Sequence, residues 1–412
     1  MERVVITGMG ILSPLGNDVD MFWSRLKEGQ SGISKIDRFD VSEFGTQIAG
    51  QVKDFDAEGL FGRKEARKMD RFVQYAMYAA EQAVQNAGLQ PEKLDRERFG
   101  VYVGSGIGGI ETLAENVKVL ENRGPGRVSP SLVPMMISNM AAAQISIRFG
   151  ALGATLSPVT ACSIGNTAIG EAFRLIKSGE ADVMIAGGTE AAVHPLALAS
   201  FGNSTALSKR NEAPEQASRP FDADRDGFVM GEGAGIVILE SLEHALRRGA
   251  RIHGEVIGYG ASSDAYHVVA SHPEGEGAYQ AMKRALASAG LSPDQVDVIS
   301  AHATSTQVGD LGETKGIKKT FGEYAKRVPI TANKSMTGHM FGAAGGAEAI
   351  ALIQSLNEGV IPPTINLTTP DPECDLDYVP GVAHRADLDI GLSNSFGFGG
   401  HNAVIVLRRF HE

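Results

Sequence analysis

The 412-residue chain has 49 acidic and 38 basic residues, a net charge of −11 and 43% hydrophobic residues. This length supports a large core and two or three domain-sized units. The acidic balance argues against nucleic acid as a partner. No apolar run approaches the ~20 residues that a membrane-spanning helix needs, so we expect no membrane insertion.

The cysteine content points to a reducing compartment. Cys162 and Cys374 are the only cysteines, and two cysteines cannot build a disulfide framework. The segment Val4–Leu12 is too short and too interrupted by glycine for a signal peptide, and we predict that it is the first strand. We therefore expect a cytoplasmic protein.

Predicted strands and helices alternate through the first half of the chain, as in an α/β protein. A helix is predicted over residues 21–26 and is stopped by Gly29. A second helix, with apolar residues at helical spacing between 72 and 83, is stopped by Gly88. A strand is predicted next, at 99–103.

Basic residues are concentrated just before the second helix. The cluster consists of Arg63, Lys64, Arg67, Lys68 and Arg71. Charge runs of this kind are most often a solvated face. The alternative is a docking site for an acidic protein, and the residues alone leave both interpretations open.

A glycine-rich loop follows the strand at 99–103. Residues 104–109 match the pattern G-x-G-x-x-G between a strand and a predicted helix, which is the context of a dinucleotide site. No second strand ending in Asp or Glu follows about 20 residues later, because 122–127 is a loop. We therefore interpret these glycines as positions where the backbone passes close to a neighbouring loop or ligand.

The segment around Cys162 is the strongest candidate for chemistry. Apolar residues between 164 and 176 recur at helical spacing, so we predict a helix that begins just after Cys162. A short strand is predicted at 156–160, although Pro158 weakens it. At a helix N-terminus the dipole and the unpaired N–H groups favour a thiolate and can hold an oxyanion. The alternative is a buried structural cysteine. This segment alone favours neither the catalytic nor the structural interpretation.

The second half of the chain repeats the order of the first. Its predicted strands and helices lie at 254–260, 277–289, 297–306, 347–353 and 390–400. We predict a duplicated α/β unit whose strand ends face one site. The boundary would lie near residue 250, giving an N-terminal half over 1–250 and a C-terminal half over 251–412.

Such packing would bring Cys162 together with His302 and His339, which follow strand ends of the second half. A cysteine and two histidines in glycine- and hydroxyl-rich turns are a stronger sign of catalysis than any one of them. We expect His339 at the start of a helix, where the positive dipole end favours a neutral imidazole that can donate to an oxyanion. Lys334 and Glu348 are candidates for an ion pair beside the histidines, and each could also be a surface residue.

Four motifs resemble the condensing enzymes of fatty acid synthesis, the β-ketoacyl-acyl-carrier-protein synthases. They lie at 160–163, 302–306, 333–339 and 394–402 within a resemblance that covers essentially the whole chain. The resemblance implies a thiolase-like fold, a duplicated α/β unit in five layers (α/β/α/β/α), acting as a homodimer. It also implies an acyltransferase that condenses an acyl group from acyl-carrier protein with malonyl-carrier protein and releases CO₂.

The same resemblance implies catalytic roles. Cys162 would carry the acyl group as a thioester, and the backbone N–H groups of Cys162 and Phe398 would form its oxyanion hole. His302 and His339 would stabilise the enolate formed by decarboxylation. Lys334 and Glu348 would support catalysis electrostatically.

Substrate contacts are implied as well. Ile107 would line the acyl tunnel, and Thr304 and Thr306 would bind the phosphopantetheine arm. This arm arrives on the carrier protein, so we expect no resident cofactor and no metal. Phe398 would gate the nucleophile, and Phe396 and Gly399 are the further expected substrate-binding residues. The carrier protein would dock on Arg63, Lys64, Arg67, Lys68 and Arg127.

The sequence departs from the family pattern at a few positions. Ala303 stands where glycine is usual, Ile164 where a small residue is usual, and His401 where threonine is common. None of these removes a reacting group, so the expected effect is on chain-length preference and carrier affinity. Two other functions stay open: a polyketide-type ketosynthase, and a non-catalytic chain-length partner, although partners of that kind lack the nucleophile.

Overall fold

The computed structural model describes residues 2–411, which form an α/β protein. The strands are β1 (Val4–Leu12), β2 (Ile33–Lys35), β3 (Ile48–Gly50), β4 (Phe99–Gly104), β5 (Thr155–Leu156), β6 (Val183–Glu190), β7 (Gly233–Ser241), β8 (Gly254–Ser263), β9 (Val298–Ser300), β10 (Ile330–Thr331), β11 (Val360–Ile361), β12 (His384–Arg385), β13 (Ile390–Gly397) and β14 (His401–Arg408). The helices are α1 (Val19–Lys27), α2 (Ala57–Phe61), α3 (Arg63–Ala66), α4 (Arg71–Asn86), α5 (Ile110–Arg123), α6 (Leu132–Met136), α7 (Met140–Phe149), α8 (Ile164–Lys177), α9 (Pro195–Asn203), α10 (Leu242–Arg247), α11 (Glu276–Ala289), α12 (Gln307–Phe321), α13 (Lys334–Thr337) and α14 (Ala344–Glu358).

Most of the predicted elements are present with close bounds. The first strand is β1, the helix that ends before Gly88 is α4, and the helix after Cys162 is α8. The strand predicted at 156–160 is wrong, because β5 covers only Thr155–Leu156. Pro158 has no N–H to donate to a neighbouring strand, which stops the ladder there.

Ten strands form one sheet in the order β10-β9-β13-β14-β8-β1-β7-β6-β4-β5. The five strands on either side of the β8–β1 junction have the same connectivity and the same directions. In each set the first and last strands pair antiparallel, as β1 with β7 and β8 with β14. The change from one set to the other falls between β7 and β8, and the domain division at residue 250 stays a prediction.

The duplication extends to the contacts between strand and helix. In β1, a Cβ on Gly8 would lie 2.2 Å from the carbonyl oxygen of Ala83 in α4. In β8, a Cβ on Gly258 would lie 2.5 Å from the carbonyl oxygen of Ala285 in α11. Both halves therefore use a glycine in the first strand to let a helix approach the sheet closely.

The helices divide into an inner layer and two outer layers. Helices α8 and α14 share one core cluster with strands of both halves. Helices α4 and α7 pack on the outer face of the first set of strands, and α11 and α12 pack on the outer face of the second. The predicted five-layer α/β/α/β/α arrangement is confirmed. Among residues 2–411, no helix has both the length and the apolar character needed to span a bilayer.

Candidate active site

The three predicted reacting side chains line one cavity. Cys162, His302 and His339 all contribute to a space of about 360 Å³. The same cavity is lined by the predicted substrate-binding residues Ile107, Thr304, Thr306, Phe396 and Phe398. Its remaining wall includes three aromatic residues, Phe201, Phe228 and Phe341, among mostly small and aliphatic residues. The fold thus brings the Cys162 turn together with two turns that lie more than 100 residues further along the chain.

Cys162 lies in a tight turn between a strand end and a helix. The turn Ala161–Ser163 is a 3₁₀ helix that leads directly into α8, and Ala161 has a φ of +52°. The end of β13 presses against this turn, because a Cβ on Gly397 would lie 2.7 Å from the Thr160 carbonyl oxygen and 2.9 Å from the Cys162 nitrogen. Glycine at 397 is therefore required for the two segments to meet.

The thiol of Cys162 holds its proton more tightly than the sequence suggested. Burial, with a further contribution from the Glu190 carboxylate, raises the pKa of Cys162 to about 12. The charge of Lys334 and the backbone N–H groups of Phe398 and Cys162 act in the opposite direction. The prediction that the helix N-terminus favours the thiolate is wrong, because loss of hydration outweighs these donors.

The two histidines at the cavity wall are neutral, so each ring can donate one hydrogen bond and accept another. Their ring centroids are 5.5 Å apart and the rings are nearly perpendicular, at 89°. Burial and the charge of Lys334 lower the pKa of His302 and of His339 well below the usual value. His339 lies between α13 and α14, so its neutrality comes from burial and Lys334 rather than from the predicted helix start.

Two carboxylates that the sequence analysis did not single out shape the turn that carries His302. The Glu313 carboxylate accepts the backbone N–H of His302 at 2.8 Å and that of Ala303 at 2.7 Å. The Asp310 carboxylate accepts the backbone N–H of Ser305 at 3.1 Å. Ala303 and Ser305 have φ values of +20° and +73°, so these bonds stabilise a backbone that L residues rarely adopt.

Lys334 and Glu348 form a buried ion pair behind the cavity. The Lys334 Nζ donates to Glu348 Oε1, and the two residues are 1% and 4% exposed. Neither residue lines the cavity. Burial raises the pKa of Glu348 to about 7 despite the neighbouring ammonium group. The predicted ion pair therefore exists and acts on the histidines through its charge.

Phe398 lies at the opening of the cavity in a glycine-rich turn. Its side chain is 40% exposed, and its ring centroid is 6.4 Å from that of Phe201. Gly399 does not line the cavity; its backbone N–H donates to the Val268 carbonyl oxygen at 2.7 Å. Gly399 and Gly400 have φ values of +84° and +76°.

The glycine-rich loop at 104–109 wraps a carboxylate. The backbone N–H groups of Gly106 and Ile107 donate to Glu190, at 2.9 and 3.1 Å. These donors would face the phosphates of a dinucleotide, and here Glu190 occupies them. A Cβ on Gly104 would lie 2.4 Å from the Pro158 carbonyl oxygen. The interpretation of these glycines as sites of close backbone approach is confirmed.

Two family models match the chain. The model for the beta-ketoacyl synthase N-terminal domain covers residues 1–245, and the model for its C-terminal domain covers 253–368. The chain belongs to the β-ketoacyl synthase family. Together with the cavity, this family membership confirms the predicted acyltransferase of the condensing class.

Curated relatives in the family are similar over the full length. A protein of Synechocystis sp. named 3-oxoacyl-[acyl-carrier-protein] synthase 2 is 50% identical over 99% of this chain and 98% of its own. A protein of the same name from Staphylococcus aureus (strain COL) is 52% identical over 99% of each chain. The resemblance found in the motifs therefore extends across both halves.

Solved structures of ketosynthases superpose on the whole chain. A beta-ketoacyl synthase from Burkholderia phymatum is 36% identical, covers all of both chains and gives a TM-score of 0.93. A structure of a type II polyketide synthase acyl-carrier protein in complex with its ketosynthase, bound to the hexaketide, is also 36% identical. It covers 99% of this chain and 100% of its own, with a TM-score of 0.92.

In this member of the family the predicted carrier-docking residues lie outside the cavity, on the surface. Arg63, Lys64, Arg67, Lys68 and Arg127 are all exposed. Three of them are within salt-bridge distance of acidic neighbours: Arg63 and Arg67 of Glu58, and Lys68 of Glu65. These exposed pairs are weak and leave the side chains available.

Proposed function

We propose that this protein condenses an acyl group with malonyl-carrier protein to give 3-oxoacyl-carrier protein and CO₂, lengthening a fatty acyl chain. The observation that carries the proposal is the shared cavity of Cys162, His302 and His339, with an apolar wall suited to an acyl chain. The name shared by the relatives at 50–52% identity supports the choice of substrate.

In the first step the Cys162 sulfur attacks the thioester carbonyl of acyl-carrier protein. Because the resting thiol is protonated, a neutral imidazole of the cavity accepts its proton as the C–S bond forms. The backbone N–H groups of Cys162 and Phe398 donate to the oxyanion. Collapse of this intermediate releases the phosphopantetheine thiol, which takes up the proton, and leaves an acyl-Cys162 thioester.

In the second step malonyl-carrier protein enters the same cavity. Loss of CO₂ leaves the electron pair of the broken C–C bond on an enolate, whose oxygen accepts hydrogen bonds from neutral His302 and His339. The enolate carbon attacks the acyl-Cys162 carbonyl, and the Cys162 sulfur leaves as a thiolate that takes a proton from water. The pantetheine arm is supplied by the substrate, so the proposal needs neither a resident cofactor nor a metal.

The other cavity residues are proposed to hold and admit the substrates. The hydroxyl groups of Thr304 and Thr306 are 3.2 Å apart at the cavity wall and suit the amides of a phosphopantetheine arm. Ile107 borders the acyl chain. Phe398 gates the thiol, since flanking glycines permit its backbone to move. The Lys334–Glu348 pair keeps the histidines neutral.

We also propose that acyl-carrier protein docks on the exposed basic residues before α4. An acidic carrier would be steered to this surface by charge, with a salt-sensitive on-rate. Substituting Arg63, Lys64, Arg67 and Lys68 by Ala is expected to raise the KM for acyl-carrier protein while alkylation of Cys162 by iodoacetamide is unchanged. An unchanged KM would rule out this surface.

A homodimer is the proposed assembly. Strand β5 is an edge of the sheet, and its Leu156 is 49% exposed. On helix α5, Leu113, Val117 and Leu120 form an apolar stripe that is 39–48% exposed. Exposed apolar stripes and open strand edges favour pairing with a second copy. Sedimentation of wild type and of Leu120→Glu checks this; a wild-type monomer would contradict it.

The proposed location is the cytoplasm. The mechanism requires a reduced Cys162, and both cysteines are free thiols in this structure. Reducing compartments maintain that state. Fractionation of the source cells with an antibody against the protein would locate it directly.

The decisive experiment is intact mass of the protein after incubation with acyl-carrier protein thioester and then with malonyl-carrier protein. Wild type is expected to gain one acyl group and to discharge it as a 3-oxoacyl product. Cys162→Ala is expected to gain none, and Cys374→Ala is the matched control that acylates normally. A folded wild type that gains no acyl group would overturn the proposal.

The product distinguishes the two kinds of ketosynthase. A fatty acid enzyme condenses once and releases a 3-oxoacyl product, whereas a polyketide-type enzyme would extend repeatedly without reduction. Similarity to the ketosynthase of a type II polyketide synthase at 36% identity makes this comparison necessary. Products carrying several unreduced keto groups would favour the polyketide alternative.

A further inference from the structure

Glu190 is a buried carboxylate that no step above uses. It ends β6, is fully buried, and lines the same cavity as Cys162. Its hydrogen-bond partners are one hydroxyl and three backbone N–H groups, none of which carries a positive charge. Burying a carboxylate without a cation is costly, so its presence here calls for a function.

The four hydrogen bonds join two separate loops. Glu190 Oε1 accepts from the Ser105 hydroxyl at 2.7 Å and from the Ile107 N–H at 3.1 Å. Glu190 Oε2 accepts from the Gly106 N–H at 2.9 Å and from the Gly342 N–H at 3.2 Å. The glycine-rich loop and the turn after His339 are therefore held by one carboxylate.

Each of these loops carries one wall of the acyl pocket. Ile107 lies within the glycine-rich loop, and Phe341 directly precedes Gly342. Phe341 has a φ of +48°, which L residues rarely adopt. Its ring is in contact with those of His339 and Phe201, at centroid distances of 4.8 and 5.3 Å. Such a conformation persists only where neighbours hold it.

We propose that Glu190 is a positioning residue that fixes Ile107 and Phe341 across the acyl pocket and thereby sets which chain lengths reach Cys162. The assignment to acyl chains rests on the proposed function. The inference that Glu190 holds the two pocket walls in place rests on the hydrogen bonds alone. A carboxylate suits this task because its two oxygens accept four donors at once, which an amide cannot do.

Burial raises the pKa of Glu190, and once this carboxyl is ionised its charge also acts on the thiol. After burial, it is the largest contribution that raises the pKa of Cys162. Lys334 opposes it, and the two histidines that face the cavity are neutral. Removing this charge is expected to move the pH profile of Cys162 alkylation to lower pH, whereas loosening the loops alone would not.

The test measures alkylation of Cys162 by N-alkyl iodoacetamides, from methyl to hexadecyl, in wild type, Glu190→Gln and Ser105→Ala. An amide at 190 retains at most two of the four hydrogen bonds. We expect the long-to-short rate ratio of Glu190→Gln to change by about tenfold or more, since small displacements of pocket walls have such effects. Its alkylation profile should also move to lower pH.

Ser105→Ala and Glu232→Gln separate the possible causes. Ser105→Ala removes one of the four hydrogen bonds to Glu190, together with the bond that the Gly108 N–H donates to the Ser105 hydroxyl. It keeps the carboxyl at 190, so the rate ratio should change less and the pH profile should stay. Glu232 is equally buried but outside the cavity, bonded to Arg38 and the Val52 N–H. Glu232→Gln is therefore the control for a general loss of stability, with both readouts as in wild type.

The outcomes distinguish this inference from the proposed function. A Glu190→Gln protein that folds and keeps the wild-type rate ratio would overturn the positioning role. If Glu190→Gln does not fold, an unchanged ratio in Ser105→Ala would overturn it instead. The alkylating probes do not require condensation, so they decide the role of Glu190 even if wild type gains no acyl group from acyl-carrier protein.

Discussion

Cys162 and the two histidines are arranged so that no resting charge is present among the reacting groups. The thiol is protonated and both imidazoles are neutral, while Lys334 supplies a nearby positive charge that stays outside the cavity. Donors already aimed at the position where charge develops stabilise that charge without reorganisation during the reaction. The site is thus prepared for charge that develops during the reaction.

Removing each histidine separately should show how far acylation of Cys162 and condensation depend on it. His302→Ala and His339→Ala each remove one proposed donor to the enolate. Condensation should fall by about 10²–10³ for each, as when one oxyanion donor is lost. Single-turnover acylation followed by malonyl-dependent discharge measures both steps in one experiment. Normal discharge in either variant would contradict a role for that histidine in the second step.

Breaking the buried ion pair should cost both stability and condensation. Lys334→Met leaves Glu348 buried without a partner, and loss of one member of such a pair costs about 3–5 kcal/mol. The free energy of unfolding in urea measures this loss. The double variant Lys334→Met with Glu348→Met should regain most of the stability but none of the condensation, because the charge beside the histidines is still absent. Recovered condensation would contradict the electrostatic role.

At the scale of elements, the crossing of α8 and α14 places the Cys162 turn. A Cβ on Gly165 would lie 2.4 Å from the Gly346 nitrogen, so the two helices touch backbone to backbone. Asn166 ties α8 to the second set of strands, since its amide donates to the Ser393 carbonyl oxygen at 2.9 Å. Small residues at this crossing therefore determine how far Cys162 reaches into the cavity.

Gly165→Ala should separate these helices. The added methyl group has no space, and overpacking of this kind costs about 1–3 kcal/mol. Alkylation of Cys162 should slow, because the turn moves with α8. Gly202→Ala in α9 is the matched control: among residues 2–411, no atom outside its chain neighbours and its own helix backbone lies within 4 Å of its added Cβ, and removing a helical glycine stabilises by up to about 1 kcal/mol. Equal stability of the two variants would contradict close packing at the crossing.

The sequence predicted regular elements better than it predicted their contacts. Strand β1 and helices α4, α8 and α11 were predictable because periodic apolar residues and terminal glycines define them locally. The roles of Glu190 and Glu313 were not, because each depends on backbone N–H groups brought close by the fold. The sign of the Cys162 pKa shift failed for the same reason: burial is a property of the folded chain.

At the scale of the whole molecule, the two sets of five strands meet where β1 pairs with β8. The repeated order of elements in the sequence predicted the duplication, because each half carries its own periodic pattern. The pairing of β1 with β8, here called the seam, was not predictable from either half alone. It is short, with Val4, Val5 and Ile6 opposite Val256, Glu255 and Gly254. The inner helices α8 and α14, which share one core cluster with strands of both sets, also join the two halves.

His253 flanks the seam and is buried. Its backbone N–H donates to the Ile6 carbonyl oxygen at 2.8 Å, and its carbonyl oxygen accepts from the Asn357 amide at 2.9 Å. Its ring Nε2 is buried with no hydrogen-bond partner among the described residues. Burial, with a smaller contribution from Arg251, lowers the pKa of His253 to about 4. Protonation of this ring is therefore much easier after unfolding.

This difference predicts an acid-sensitive seam. Between pH 6.5 and about 4 the unfolded chain binds a proton at His253 that the folded protein does not, so stability falls as the pH falls. The full loss is about 3 kcal/mol, reached near pH 4. Burial raises the pKa of Asp310 and of Glu348 to about 7, so these two groups act in the opposite direction over nearly all of this range. A comparison of variants is needed to isolate His253.

Urea unfolding of wild type and His253→Leu from pH 4 to pH 7.5 provides that comparison. The variant cannot be protonated at 253, so the stability difference between the two proteins should shift in its favour by about 3 kcal/mol as the pH falls. His384→Leu is the control for the loss of a histidine outside the seam, because His384 is exposed in strand β12. A constant difference between wild type and His253→Leu would mean that the ring gains a partner or water on protonation, and that the seam is not the acid-sensitive part of the molecule.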